Sequence, residues 1–218
     1  MAKHPPVSSP SPRTPGREAE EVREGRRRGR PSTGARERIL EAALEVMKAE
    51  GYAGTTIAKV AARAGESKAL VAYHYGSKQG LVAAVARSVA EEITEAVLSR
   101  LGQGDDVKSV IANAAAGVEA ILDEDERVAR VYFDLAAVSV VEPEVRQTIA
   151  AINEGWRGVL IGRLTEVGMS AAKARRLTVM VIAGLQGLAL ERIERGNTAE
   201  LKGARDLFVT AAVEVSKL

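Results

Sequence analysis

Residues 55–78 read Thr-Thr-Ile-Ala-Lys-Val-Ala-Ala-Arg-Ala-Gly-Glu-Ser-Lys-Ala-Leu-Val-Ala-Tyr-His-Tyr-Gly-Ser-Lys, and the punctuation of this stretch decides the fold. Thr55 and Thr56 are helix-capping types, and behind them Ile57, Val60, Ala61 and Ala64 recur at the spacing of one helix face. Gly65 ends that short helix, because only glycine enters the left-handed region without a Cβ penalty. Ser67 then caps a second short helix, Lys68 to about Tyr75. Two short helices joined by a tight turn containing glycine form a helix-turn-helix. The alanines and Gly65 stand where two steeply crossing backbones must approach.

Working outward, Ile39, Leu40, Ala43, Leu44 and Met47 make the apolar face of a preceding helix, with Arg36, Glu37, Arg38, Glu41, Glu45 and Lys48 mostly opposite. Thr33 is the expected start and Gly51 the expected stop. The block from Ile39 to Leu81 resembles the TetR family of bacterial repressors. The resemblance rests on Ile39, Leu40, Ala42-Ala43, Gly51-Tyr52, Thr55-Thr56-Ile57, Val60-Ala61, Ala64-Gly65, Ser67-Lys68 and Tyr73-His74-Tyr75-Gly76-Ser77-Lys78, with Leu81 beyond. The closing block is similar to the family's Tyr-His-Phe-x-Ser-Lys pattern, with Tyr75 in the place of Phe. Ala69-Leu70 stand where the family often has Gly-Thr, and Ala72 where it often has Tyr, so an operator sequence cannot be borrowed from relatives.

A recognition helix faces base edges with its N-terminal part, here Ser67, Lys68, Ala69 and Leu70. Lys68 suits a guanine acceptor or a phosphate, whereas Ala69 and Leu70 offer only apolar contact to thymine methyls. For Leu70, packing beneath the helix is the other reading. Tyr73 and His74 are expected to hold phosphates, a role the resemblance also implies, and such contacts set register rather than sequence. Thr55, Thr56 and Lys78 stand at helix starts, where backbone amides and the positive end of the dipole favour a phosphate. A solvated surface lysine is the other reading of Lys78.

The charge is unevenly spread. Residues 1–36 carry nine lysines and arginines against four glutamates, a local excess of +5 in a chain whose net charge is +2. Proline, serine, glycine and arginine dominate residues 1–31, which predicts a disordered basic arm. Its Arg26-Arg27-Arg28-Gly29-Arg30-Pro31 core is narrow and extended, and Arg27, Arg28 and Arg30 suit the minor groove.

The absence of cysteine excludes disulfides, thiolate metal sites and cysteine nucleophiles. With His4 and His74 the only histidines, no metal is expected. No phosphate-loop glycine pattern or paired ligand motif supports an enzyme, and no cofactor is expected. Residues 1–30 lack the apolar stretch of a secretory signal. The longest apolar run, Leu177 to Leu190, is too short to span a bilayer. These features predict a soluble, cytoplasmic chain without a membrane partner.

Beyond Lys78 every segment repeats at helical period, so the chain is expected to be all-α with about nine helices. A three-helix DNA-binding domain spans residues 32–78, and a larger ligand-binding and dimerisation domain spans residues 79–218. Separate helices are expected at Leu81–Val97, Val107–Leu122, Val128–Val138, Val145–Leu164 and Ala171–Arg195, with a last one capped by Asn197 or Thr198. The run from Leu177 to Leu190 is apolar nearly all round and needs a partner on more than one face. Ala183, Gly184, Gly187 and Leu188, with Leu207, Phe208 and Ala211 of the last helix, are expected to build a four-helix dimer seam. The resemblance implies the same homodimer.

A small-molecule pocket is expected where scarce aromatic and polar groups interrupt the apolar stripes: Asn113, Tyr132, Phe133, Asn153, Trp156 and Gln186. Asp134 is expected to pair with Arg130 one turn earlier. The sequence thus predicts a homodimeric repressor on a palindromic double-stranded DNA operator, released by a small lipophilic ligand. Rival readings are a constitutive DNA-binding regulator without a ligand, and an all-helical enzyme or carrier.

Overall fold

The computed structural model describes residues 34–102 and 105–218. The proposed arm, with Arg27, Arg28 and Arg30, lies outside the described residues. Arg36–Leu218 form one compact unit. Its helices are α1 (Ala35–Gly54), α2 (Ile57–Ala64), α3 (Lys68–Tyr75), α4 (Lys78–Leu101), α5 (Val107–Val138), α6 (Pro143–Glu166), α7 (Ala171–Arg195) and α8 (Ala199–Ser216). No strand occurs among the described residues, as the helical periodicity required. Nor, among them, is any helix long and apolar enough to cross a membrane.

The described residues form eight helices, where about nine were expected for the chain. The segments read as separate helices either side of residue 125 run together as α5, because the chain breaks only at Asp125 (φ −150°, ψ 91°). Asp125 has the same side chain that caps helices elsewhere: its Oδ1 accepts the Arg127 amide at 3.1 Å. It therefore acts as an internal cap, a kink rather than a loop. Bonds from the side chains of Arg127 and then Lys48 hold its carboxyl well below the usual carboxylate range, against the opposing effect of burial.

α1 contains a similar break. Gly51 sits at φ +68°, in the left-handed region, and the amide that follows it reaches outside its own helix for an acceptor. Asp134 of α5 fills that place, its Oδ2 accepting the Tyr52 N–H. The expected Asp134–Arg130 pair does not form. Arg130 binds Glu126 one turn before it, leaving Asp134 to turn inward. Lys48 of α1 also reaches Asp125 of α5 at 3.0 Å. α1 is thus tied to α5 at two points, across 77 and 82 residues of chain.

Two buried clusters form the core. One joins Ile39, Val46, Met47, Val60 and Val71 of the first three helices to Leu81, Val85 and Val89 of α4 and Val128, Tyr132 and Leu135 of α5. The other joins Leu101, Ile111 and Ala114 to Leu160, Leu164, Leu177, Val181, Leu185 and Ala212. Between α5 and α7, Arg192 is buried and held by Glu119 and Asp123, each at 2.5 Å.

Replacing Asp134 with Ala strands a covered amide, and the expected cost is about 1–3 kcal/mol in urea unfolding. Replacing Arg130 with Ala removes only an exposed pair and costs about 0–1 kcal/mol. The reverse ranking would restore the pair expected from sequence.

Candidate functional site

The helix-turn-helix is built by its caps. Thr56 (φ −126°, ψ 151°) accepts the Lys59 N–H at 3.2 Å and starts α2. Gly65 closes α2 at φ +67°, the conformation expected of it. Ser67 accepts the Leu70 N–H at 3.1 Å and starts α3. Ser77 does the same for α4 through Gly80 N–H at 3.0 Å. Tyr75 fixes α3 against the start of α1 by donating its hydroxyl to the Arg36 carbonyl at 2.7 Å.

These supports leave one face of α3 open. Ser67, Lys68, Ala69, Ala72 and Tyr73 are exposed, Tyr73 to 73%. Leu70 is half-buried and packs against the first core cluster, as its packing reading expects. Thr56 is exposed as well. Thr55 departs from expectation: it is 1% exposed, and its hydroxyl donates to the Gly51 carbonyl at 2.8 Å. Its side chain serves the corner and has no route to a phosphate. His74 is half-buried between the Tyr73 and Tyr75 rings, and its Nε2 is covered without a hydrogen-bond partner among the described residues. Lys78 is not simply solvated: its ammonium donates to the Tyr52 carbonyl at 3.2 Å and lies 4.3 Å from the centre of the Tyr52 ring.

A second site lies where the two core clusters fail to merge. There an apolar pocket of about 110 Å³, partly open to the surface, is lined by α4, α5, α6 and α7. Four of the six expected ligand residues line it: Tyr132, Phe133, Trp156 and Gln186. Asn153 stands one bond behind, accepting the Tyr132 hydroxyl at 2.8 Å, and Gln186 Nε2 donates to that hydroxyl at 2.9 Å. Burial raises the Tyr132 pKa, with the Asn153 and Gln186 bonds opposing it. Asn113 is not among the lining residues. The fourth helix was expected beside the cavity, but none of its lining residues was named in advance: Ile93, Thr94, Val97, Leu98 and Leu101. Their helical spacing was legible, but nothing in it distinguished a cavity wall from solid core. Thr94 matters most, since its hydroxyl accepts the Trp156 indole N–H at 2.7 Å.

A third surface is the outer side of α7 and α8. Val179, Ala183, Gly187 and Leu190 are exposed at spacings of three and four, as are Leu207, Ala211 and Val215. Of the seam residues expected, Leu188 is half-buried. Gly184 and Phe208 belong elsewhere: a Cβ on Gly184 would lie 2.3 Å from the Phe208 ring, so the two lock α7 to α8 within one chain. Val179, Leu190 and Val215 were not anticipated.

A capped helix-turn-helix packed on a helical body that carries an apolar pocket defines a helix-turn-helix protein. The family model described as bacterial regulatory proteins, tetR family, matches residues 39–85. The HTH-type transcriptional regulator CymR of Pseudomonas putida is 30% identical over 190 residues, covering 78% of this chain and 89% of CymR. The chain belongs to the TetR family. Among solved structures, a transcriptional regulator from Rhodococcus sp. Rha1 superposes with a TM-score of 0.71 at 21% identity, over 82% of this chain and 96% of that one. The multidrug binding protein EbrR, in its complex with ethidium, gives 0.66 at 23% identity, over 82% and 98%. These two likenesses concern the fold.

Replacing Ser67 with Ala removes the bond that starts α3 and should cost about 1 kcal/mol of stability by thermal or urea unfolding. Replacing Lys68 with Ala, one residue on, should leave stability within about 0.5 kcal/mol.

Proposed function

We propose that the protein is a ligand-responsive transcriptional repressor that binds a palindromic operator as a homodimer and is released by a small lipophilic molecule. The observation that carries this reading is one helix with two attachments. α4 begins against the helix-turn-helix through Ser77 and Lys78, and its other half walls the cavity from Ile93 to Leu101. In this reading residues 32–78 are the DNA-binding domain and residues 79–218 sense the ligand and dimerise. The chain acts in the cytoplasm, on the nucleoid.

Lys68, Ala69 and Tyr73 on the open face of α3 are the groups offered to the major groove and its flanking phosphates, with Ser67 and Thr56 at the helix starts. Arg27, Arg28 and Arg30 extend the contact into the minor groove. The exposed stripes of α7 and α8 form an isologous four-helix seam about a twofold axis. That axis would set two copies of α3 one helical turn of DNA apart, roughly 34–36 Å or a multiple.

The cavity supports the sensor reading energetically. An apolar wall around about 110 Å³ gives a lipophilic ligand surface to cover, at about 25 cal/mol for each Å² removed from water. A ligand that fills it and prefers one tilt of α4 changes the spacing of the recognition helices. A second link runs through α5, where Phe133 touches the cavity and Asp134 holds the amide of Tyr52. Lowering DNA affinity a hundredfold requires about 2.7 kcal/mol of differential binding.

Selection of duplexes from a random pool tests the reading, with a palindromic consensus expected. On that duplex, Lys68→Ala should weaken binding several-fold. Removing residues 1–31 should flatten the slope of log K against log salt by about 0.9 for each phosphate that the arm neutralises. Leu207→Glu should produce monomers in analytical ultracentrifugation and abolish duplex binding. A monomeric parent chain, or an arm deletion with an unchanged slope, would refute the corresponding part.

A further inference from the structure

The chemistry of the cavity wall narrows the ligand beyond lipophilic. No charged side chain is among the residues that line it. A carboxylate ligand would meet no cation there, and a cationic dye would meet no carboxylate. Burying either charge unpaired costs several kcal/mol, so the wall selects against both. Burial also keeps the Tyr132 hydroxyl protonated, which removes the one group that could become an anion for a cationic guest.

The polar groups that do reach the wall are mostly spent on one another. Thr94 donates to the Ala90 carbonyl and accepts from Trp156. Tyr132 donates to Asn153 and accepts from Gln186 Nε2. The Gln186 carbonyl oxygen is the exception: it accepts no hydrogen bond from the described residues. An acceptor held in place by its own amide nitrogen, on an otherwise apolar wall, suits a single O–H or N–H donor. The surrounding rings favour an aromatic body. Tyr132 lies 5.0 Å from Trp156 and 5.4 Å from Phe133, at angles of 50° and 70°, so the rings present edges and faces together. Size sets the last limit. An apolar cavity of about 150 Å³ takes benzene; the space here is about 110 Å³ and partly open beside the neighbouring groove, room for one ring and no more.

We propose that the cavity binds a neutral, single-ring aromatic molecule carrying one hydrogen-bond donor, a phenol in the simplest case, with that donor on Gln186 Oε1 and the ring among Tyr132, Phe133 and Trp156. The inference rests on the sensor reading above and names its ligand class. Entry is from the open groove between α4 and α6, which shares Thr94, Leu98, Trp156 and Val159 with the cavity. The Thr94–Trp156 bond stands between the two spaces.

Trp156 is the only tryptophan in the chain, so its emission reports on the cavity without a label. The full-length protein is titrated at pH 7 with phenol, toluene, benzoate and ethidium, following Trp156 emission and, in parallel, the midpoint of thermal unfolding. Phenol should saturate and raise the midpoint. Toluene should bind about tenfold more weakly, and benzoate and ethidium more weakly still. Gln186→Met keeps the side-chain volume and removes the acceptor. It should bring phenol down to the affinity of toluene and leave toluene unchanged. Should that variant not fold, Ala129→Leu, which fills the cavity, should abolish binding of both neutral probes.

Benzoate or ethidium binding as tightly as phenol would overturn the proposal. So would phenol that fails to saturate, or phenol affinity unmoved in a folded Gln186→Met. These outcomes are independent of the DNA selection. A palindromic consensus with no phenol binding removes this ligand class alone; phenol binding without any duplex preference removes the regulator reading alone.

Discussion

The structure hangs on one backbone amide. α1 breaks at Gly51, φ +68°, shortly before the chain turns into α2, and the Tyr52 N–H just after the break is bonded from outside the helix. A covered amide without a partner costs about as much as a lost hydrogen bond. Asp134 supplies the acceptor, and the same corner gathers Thr55 onto the Gly51 carbonyl and Lys78 onto the Tyr52 carbonyl. Three helices distant in sequence meet there because one turn had to be satisfied. The orientation of the helix-turn-helix on the rest of the unit follows from that corner and from the buried cluster beneath it.

The cavity follows from a related constraint. Helices α4 to α7 are long, and their cores are built mainly of alanine, valine, leucine and isoleucine; the whole chain is only 3% aromatic. Side chains of that size fill the lower cluster around Val85, Val128 and Leu135 and the upper one around Ile111, Leu164 and Val181. Between them the large residues Tyr132 and Trp156 are tied off by hydrogen bonds to Asn153, Gln186 and Thr94. Rings held at their rims cannot collapse into the space, so it stays open. The polar residues around it are therefore part of the reason that it exists.

The small residues of α7 illustrate how one composition serves two ends. Gly184 admits the Phe208 ring against the helix backbone and binds α8 to its own chain. Ala183 and Gly187, one position before and three beyond, lie on the exposed stripe with Val179 and Leu190. At 3.6 residues per turn a shift of one position is a rotation of 100°, enough to separate an internal seam from an outer face.

Much of this was legible without coordinates. Helical period, cap residues and the glycines at 51 and 65 fix all-α structure and the helix-turn-helix, because capping and backbone sterics act within a few residues of each other. Four of the six residues expected at a pocket line this one for a similar reason, since rare aromatic and amide groups on apolar stripes stand out locally. What tertiary structure alone decided was where side chains with several local options went. Asp134 chose an amide 82 residues away over Arg130 next to it, Thr55 was withdrawn into the corner, Phe208 turned inward, and α5 ran through Asp125 as a kink. Each of these was settled by burial against a distant partner, and the sequence spacing of a residue carries no record of the partner that three-dimensional packing will bring to it.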